Sequence, residues 1–291
     1  MSTPLPAKPK TLRDFPRPKV FVPFLAYDWR GDVQSTFSFL DTFARAHVDL
    51  APPIANFQDG VARARNGVTA HFLTKTDAEF IFFIALDVNY GAQDVERILE
   101  KMLVHNLDVC AGMYAGKGAA LKWIFTVFSE QDRPDPATGL LRAKQVGTDF
   151  LCIRRRVFEK IAADKPELKY DFKPTAKETH VHYNFFGMPI HDGELESEDW
   201  NFSRLARESG FTCWVDTQTL IPHRGHIYFP LFATLKTEEI FEIVRLRFVD
   251  PVRFPLGFDL KAALAAAGTA APAPPAITAP LTPSPCSSAS P

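Results

Sequence analysis

FIFFIALDVNYGAQDVERIL, residues 80–99, decides how this chain folds and where its chemistry sits. The run Phe80–Leu86 is apolar without a break and rich in residues that favour strands. A strand covered by helices on both faces reads this way. The run stops on Asp87, Val88 and Asn89, after which Val95, Ile98, Leu99, Met102 and Leu103 recur at helical spacing. A buried strand feeding a helix predicts an open α/β sheet, in which ligands bind outside the carboxyl ends of the strands. Asp87 and Asn89 stand at such an end. If the turn curls, both side chains reach one point, and hard oxygen donors of this kind suit Mg²⁺ or Mn²⁺ carrying a diphosphate. The same residues also read as a helix cap, with Asn89 or Asp94 satisfying free N–H groups. The segment alone leaves both readings open.

The alternation extends outward from that unit. KVFVPFL (19–25) reads as a first buried strand, and residues 33–46 place Val33, Phe37, Leu40 and Phe43 at helical spacing. QDGVARARNGVTAHFL repeats the period at Val61, Ala64, Val68 and Phe72, and LDVCAGMY (107–114) is the next strand. The order β-α-β-α-β-α-β predicts a three-layer α/β fold around a mostly parallel sheet with right-handed crossovers. Past residue 120 strand patterns dominate, in LKWIFTVFS, LRAKQVG, FLCIRR and HVHYNFF. The second half is therefore expected to be mixed and β-rich, closing with helices near 199–209 and 236–248.

Both ends read as tails. Residues 1–18 are rich in Pro, Lys and Arg without periodic apolar positions, and from 261 to 291 Ala, Pro, Ser and Thr leave little to bury. The composition of 261–291 predicts disorder, and the two tails leave one domain over 19–260. Hydrophobic residues at 46% and charged residues at 23% fit a soluble globular chain. A net charge of −1 provides no global field toward nucleic acid or acidic membranes. No apolar run approaches the ~20 residues of a spanning helix, and MSTPLPAKPK has no apolar signal region. Cys110, Cys152, Cys213 and Cys286 form no C-x-x-C pair, which fits reduced thiols and a cytoplasmic location better than a disulfide framework or zinc site.

Six segments, in order, carry a family resemblance: ARARNGVTAHFL, EFIFFIALDVNY, VCAGMYAGKG, VGTDFLCIRRRVFEKI, ESEDWNFSRLARESGFTCWVDT and PHRGH. Over roughly residues 18–230 the chain resembles family-2-like glycosyltransferases of the GT-A fold. The resemblance implies a GT-A-like domain that moves a sugar from a nucleoside-diphosphate sugar to a hydroxyl of a glycan or other acceptor, with inversion and with Mn²⁺ or Mg²⁺. It implies that Asp87 and Asn89 hold nucleotide and metal, and that His223 completes the metal shell. It places Glu198 and Asp199 at the family's acidic pair, with Asp199 as base, and Arg65, Asn66 and Lys117 near the nucleotide. Two departures stand out. Asn89 replaces the second aspartate of the metal motif, and Asp149 stands in VGTDF where relatives usually have Gly, on the acceptor side.

Each candidate has a plainer reading. Ser197 can cap a helix whose positive end favours Glu198 and Asp199. His223 and His226 can be loop residues around Gly225. His180 and His182 share a strand face that reads as solvated, Arg154, Arg155 and Arg156 read as a polar helix start, and Trp200 and Trp214 read as core. Two other functions compete with sugar transfer. One is a noncatalytic GT-A-like nucleotide- or sugar-binding protein, prompted by Asn89. The other is a phosphotransferase of the haloacid-dehalogenase kind, echoed in LDVNYG, whose chemistry needs a second carboxylate that Asn89 does not supply.

Overall fold

Every residue of the strand Phe80–Ile84 is buried, and its two faces belong to different cores. Ile81 and Phe83 pack with Val68, Phe72, Phe158 and Phe202. Phe80, Phe82 and Ile84 pack with Phe39, Val95, Ile98 and Leu99. Helical residues thus cover both faces, which makes the three layers expected of a continuous apolar strand. The computed structural model describes residues 10–25, 33–56, 60–116, 122–175 and 178–223. The chain divides at His226. Residues 1–9 of the expected N-terminal tail, all of the expected C-terminal one, the helix near 236–248, Lys117, His226 and Cys286 lie outside the described residues, while Leu12 of the N-terminal segment is buried and its N–H donates to Glu100 at 2.8 Å.

In chain order the elements that position the site are β1 (Lys19–Phe21), α1 (Val33–Arg45), β2 (Asp49–Leu50), α2 (Val61–Lys75), β3 (Phe80–Ile84), α3 (Ala92–Val104) and β4 (Val109–Met113). They continue as β5 (Leu140–Ala143), β6 (Phe150–Arg154), α4 (Arg155–Asp164), β7 (Lys169–Thr175), β8 (Glu178–Tyr183), β9 (Ile190–His191), β10 (Glu194–Leu195), α5 (Glu198–Glu208) and β11 (Cys213–Leu220). The central sheet has the order β2-β1-β3-β6-β4-β11-β5. Strands β2, β1, β3, β4 and β11 point one way, while β6 and β5 run against them. β7–β8 and β9–β10 form separate hairpins. This is the mixed α/β architecture with a mostly parallel sheet that the alternation predicted. Among the described residues no helix is long and apolar enough to cross a membrane.

Three local expectations are corrected. KVFVPFL is not one strand: β1 ends at Phe21, and Phe24–Leu25 forms a separate short ladder with Ala55–Asn56. Pro23 lies at the break, where its missing N–H ends the pairing. In α1, Phe37 and Leu40 are exposed, and the buried side carries Phe39, Thr42 and, just past the helix, Ala46. Apolar residues lie on two sides of this helix, so period alone does not say which side meets the sheet. His182 is buried rather than solvated, stacked on Phe172 at 4.7 Å.

The Arg154–Arg156 run is structural. Arg155 donates to the carbonyls of Phe72, Leu73, Thr76 and Ala78 at 2.8–3.1 Å and lies 4.3 Å from the Phe72 ring centroid. These carbonyls end α2 and enter β3, where no helical N–H remains to satisfy them. A guanidinium suits that end of the helix dipole. Arg155→Met is therefore expected to cost about 2–3 kcal/mol, the range for hydrogen bonds to a charged group. Urea unfolding checks this, with the midpoint falling and the m-value unchanged.

Candidate active site

The site forms because several chain segments leave or enter the sheet at one edge. β6 runs against β3 with Phe150 opposite Ile84, and Ala85 N–H donates to the Asp149 carbonyl at 2.9 Å. Asp149 therefore sits beside the turn that carries Asp87. β11 runs parallel to β4, so its exit reaches the same edge. There Ile221 N–H donates to Met113, Asn89 N–H donates to Pro222, and Val88 bridges His223. The Asp87 turn and the His223 segment are stitched together at the carboxyl ends of the parallel strands, where this class of sheet binds ligands.

His223 is oriented by backbone. Its Nδ1 lies 2.8 Å from the Ala115 carbonyl, and because a carbonyl only accepts, Nδ1 carries a proton. Nε2 then faces Asp87 Oδ1 at 3.5 Å and Asp149 Oδ2 at 3.8 Å. Nε2 is buried and has no hydrogen-bond partner. Burial pushes the imidazole pKa down, but Asp87, the Ala115 carbonyl and Asp149 outweigh it and leave it raised. Tyr114 meets the ring edge-on at 5.6 Å, and its hydroxyl accepts the Asp149 N–H at 3.0 Å. A Cβ at Gly147 would fall 2.0 Å from that hydroxyl oxygen and 2.5 Å from Ile124. The glycine of VGTDF is thus required by the close approach of Tyr114.

Arg65 links the rest. Its side chain is 7% exposed; Nη1 pairs with Glu198 and Nη2 lies 3.6 Å from Asp149 Oδ1. One guanidinium therefore joins α2, the entry to β6 and the first turn of α5. Next to Glu198, Asp199 accepts from Ser197 Oγ and from Trp200 N–H. Burial raises the Asp199 pKa and the neighbouring Glu198 charge adds to it, against the pull of Ser197, Arg65 and Trp200. Ser197 is the N-cap residue, yet its side chain makes no bond to the helix backbone. Burial pushes the Tyr114 hydroxyl well above its ordinary range, with the charges of Asp149 and Asp199 adding to it. Both carboxylates therefore act on the same buried ring.

Other expected residues are placed differently. The cap of α3 is Asp94, whose carboxylate accepts Gly91 N–H at 2.9 Å; Asn89 lies before that helix, with Oδ1 buried and without a hydrogen-bond partner. Both ends of the buried Asn66 amide are used. Nδ2 donates to Asn184 at 2.9 Å and Oδ1 accepts Phe186 N–H at 2.9 Å. Asp149 is the residue that sequence reasoning left out of the site, and its only signal was the departure from Gly in VGTDF. Among the described residues no group of three or more His, Cys, Asp and Glu is arranged to hold a metal ion. Asp87, Asp149 and His223 converge without closing a cage.

No protein-family model matches the chain, and no curated protein matches it. Solved structures are similar to it, two of them as follows. One is the crystal structure of A197 from STIV, at 16% identity and TM-score 0.44, covering 72% of this chain and 86% of that one. The other is the crystal structure of GalNAc-T7 with UDP, GalNAc and Mn2+, at 10% identity and TM-score 0.42, covering 72% of this chain and 44% of that one. This chain thus spans less than half of the second structure's length. Neither likeness assigns a site or an activity.

Two outcomes follow from the geometry. Arg65→Met removes the buried partner of the half-buried Glu198 and is expected to cost about 3 kcal/mol in urea unfolding at pH 7, the low end for breaking a buried pair. For Asp199 the sign is opposite. A carboxyl whose folded pKa is raised contributes stability that is full below its unfolded value and is lost as pH rises through the folded one. Asp199→Asn should match or exceed the wild-type Tm at pH 7 and lose that advantage at pH 3. A lower Tm at pH 7 would make Asp199 a stabilising helix-end charge instead.

Proposed function

We propose that this chain is a glycosyltransferase that moves a sugar from a nucleoside-diphosphate sugar to a hydroxyl of a glycan or other acceptor. The observation that carries the reading is the convergence of Asp87, Asp149 and His223 at the carboxyl edge of the sheet, tied through Arg65 to the acidic start of α5. The ordered motifs of the sequence also single out Arg65, Asp87 and His223.

The donor set fits a hard divalent cation. A histidine that gives Nδ1–H to a backbone carbonyl and turns a buried, unsatisfied Nε2 toward two carboxylates has the orientation of a metal-ligating imidazole. Mg²⁺ and Mn²⁺ sites of this kind use one or two carboxylates and leave positions for phosphate oxygens, so a closed protein cage is not required. Asp87, Asn89 and His223 are the residues proposed to hold it. When bound, such an ion neutralises charge that develops on a leaving diphosphate.

The remaining roles belong to side chains. Asp199 is the proposed base, standing beside Glu198 at the start of α5, and burial raises its pKa, which makes its carboxylate a better proton acceptor. Glu198 and Asp149 are held by Arg65, whose charge is matched by both, so Arg65 orients these carboxylates rather than offering its charge to a phosphate. Lys117, which follows β4 in sequence, is the proposed cation for the diphosphate. With base and leaving group on opposite faces of the sugar carbon, transfer proceeds by single displacement with inversion. One observation favours a second reading, nucleotide binding without transfer: Asn89 contributes no charge, and among the described residues no closed cage of carboxylates compensates.

A thermal-shift panel of UDP, GDP, CDP and dTDP, with and without Mn²⁺, tests the reading. At ~100 times Kd a bound nucleotide adds about 2.7 kcal/mol, or roughly 5–10 °C for a domain of this size. No shift with any of the four sinks the proposal, and a shift indifferent to Mn²⁺ removes the ion from it. With the matching sugar nucleotide, Asp199→Asn is expected to lower transfer by about 10²–10⁴ and to keep nucleotide Kd within a few fold. Binding without transfer in the wild type would favour the second reading.

A further inference from the structure

One position before Ala64 and two before Arg65, Arg63 opens onto a cleft of about 510 Å³ between the start of α2 and the β7–β8 hairpin. That size lies in the range of small-molecule sites. Its wall is a fixed group of rings. Phe172 stacks on the buried His182 at 4.7 Å and 20°, and Tyr170 meets the same imidazole edge-on at 5.6 Å. The Arg63 guanidinium lies 5.3 Å from the Phe172 centroid, which leaves the edge of its fork outward. Lys173 lines the same cleft, and Asp171 is the one acid among the lining residues. Neither Arg63 nor Lys173 forms an ion pair among the described residues.

The cleft is mechanically joined to the acidic helix. Asn66, on its lining, accepts Phe186 N–H. Asn201 of α5 donates to the neighbouring Phe185 carbonyl at 3.3 Å, and Phe186 stacks on Phe202 at 5.0 Å. The floor of the cleft and the helix that begins with Glu198 and Asp199 are therefore packed together through Phe185 and Phe186.

We propose that this cleft is an acceptor subsite for an anionic saccharide, with the sugar ring against Tyr170 and its carboxylate or phosphate facing Arg63, which Phe172 supports, and Lys173. Aromatic faces suit the C–H faces of a pyranose, and a guanidinium fork matches carboxylate or phosphate oxygens bidentately. The acceptor role rests on the glycosyltransferase reading; the binding of an anionic saccharide rests on the cleft alone.

Saturation-transfer NMR titrations of the full chain test it with tri-galacturonic acid, glucose 6-phosphate and maltotriose. The first two distinguish a carboxylate from a phosphate, and the third carries no charge. At least one charged probe is expected to bind more tightly than maltotriose. Arg63→Gln is expected to weaken that binding about tenfold, the size of one charge-assisted hydrogen bond. Lys173→Gln serves as the second variant if the first lowers Tm. Absence of binding by both charged probes, equal binding of maltotriose, or an affinity unchanged in both variants overturns the proposal. Saccharide binding that persists when no nucleoside diphosphate shifts Tm marks a failed strand-end reading and leaves the cleft standing. A nucleotide shift without saccharide binding marks the reverse.

Discussion

A buried arginine holds this site together. Arg65 brings a full charge into a packed region, which is costly unless carboxylates compensate it. Glu198 and Asp149 do so from two different elements, so the compensation also fixes where α2, β6 and α5 stand relative to one another. Replacing all three by apolar residues of similar volume can leave a fold equally stable. What the charged version adds is position: two carboxylates are held at a sheet edge that already carries Asp87.

The sheet topology supplies the second constraint. β6 lies between β3 and β4 and runs against both. Its entry, rather than its exit, therefore falls at the carboxyl edge, and Asp149 arrives there for that reason. The backbone of the same segment is pinned by Tyr114, which in turn needs the bare Cα of Gly147. His223 is held by a carbonyl from the end of β4. The His223 imidazole is thus oriented by main chain, which loses no rotamer freedom on binding a ligand.

Asp199 shows how the plain and the functional readings of one residue can both hold. Acids in the first turn of a helix are favoured by its dipole, and Glu198 and Asp199 occupy that turn. Yet the Asp199 carboxyl is raised by burial, so on balance its environment resists the charge that the helix end welcomes. Residues kept in such conflict are common where activity is retained at some expense in stability.

The layers, the central strand, the helices α2, α3 and α5 and the strand-end position of Asp87 were legible in the sequence, because periodicity and turn residues are local properties of the chain. The same local signals went wrong where they were degenerate. Helix α1 carries apolar residues on two sides, and Pro23 divides a run that hydrophobicity alone reads as continuous. Partner choice was decided only by the tertiary structure. That Asn66 braces Asn184 and Phe186, that Arg65 is matched by Glu198 and Asp149, and that His182 is buried against Phe172 all depend on segments apart in sequence. A residue's type limits what it can bond. Which of its possible partners it meets depends on strand order and register, and no stretch of sequence carries these alone.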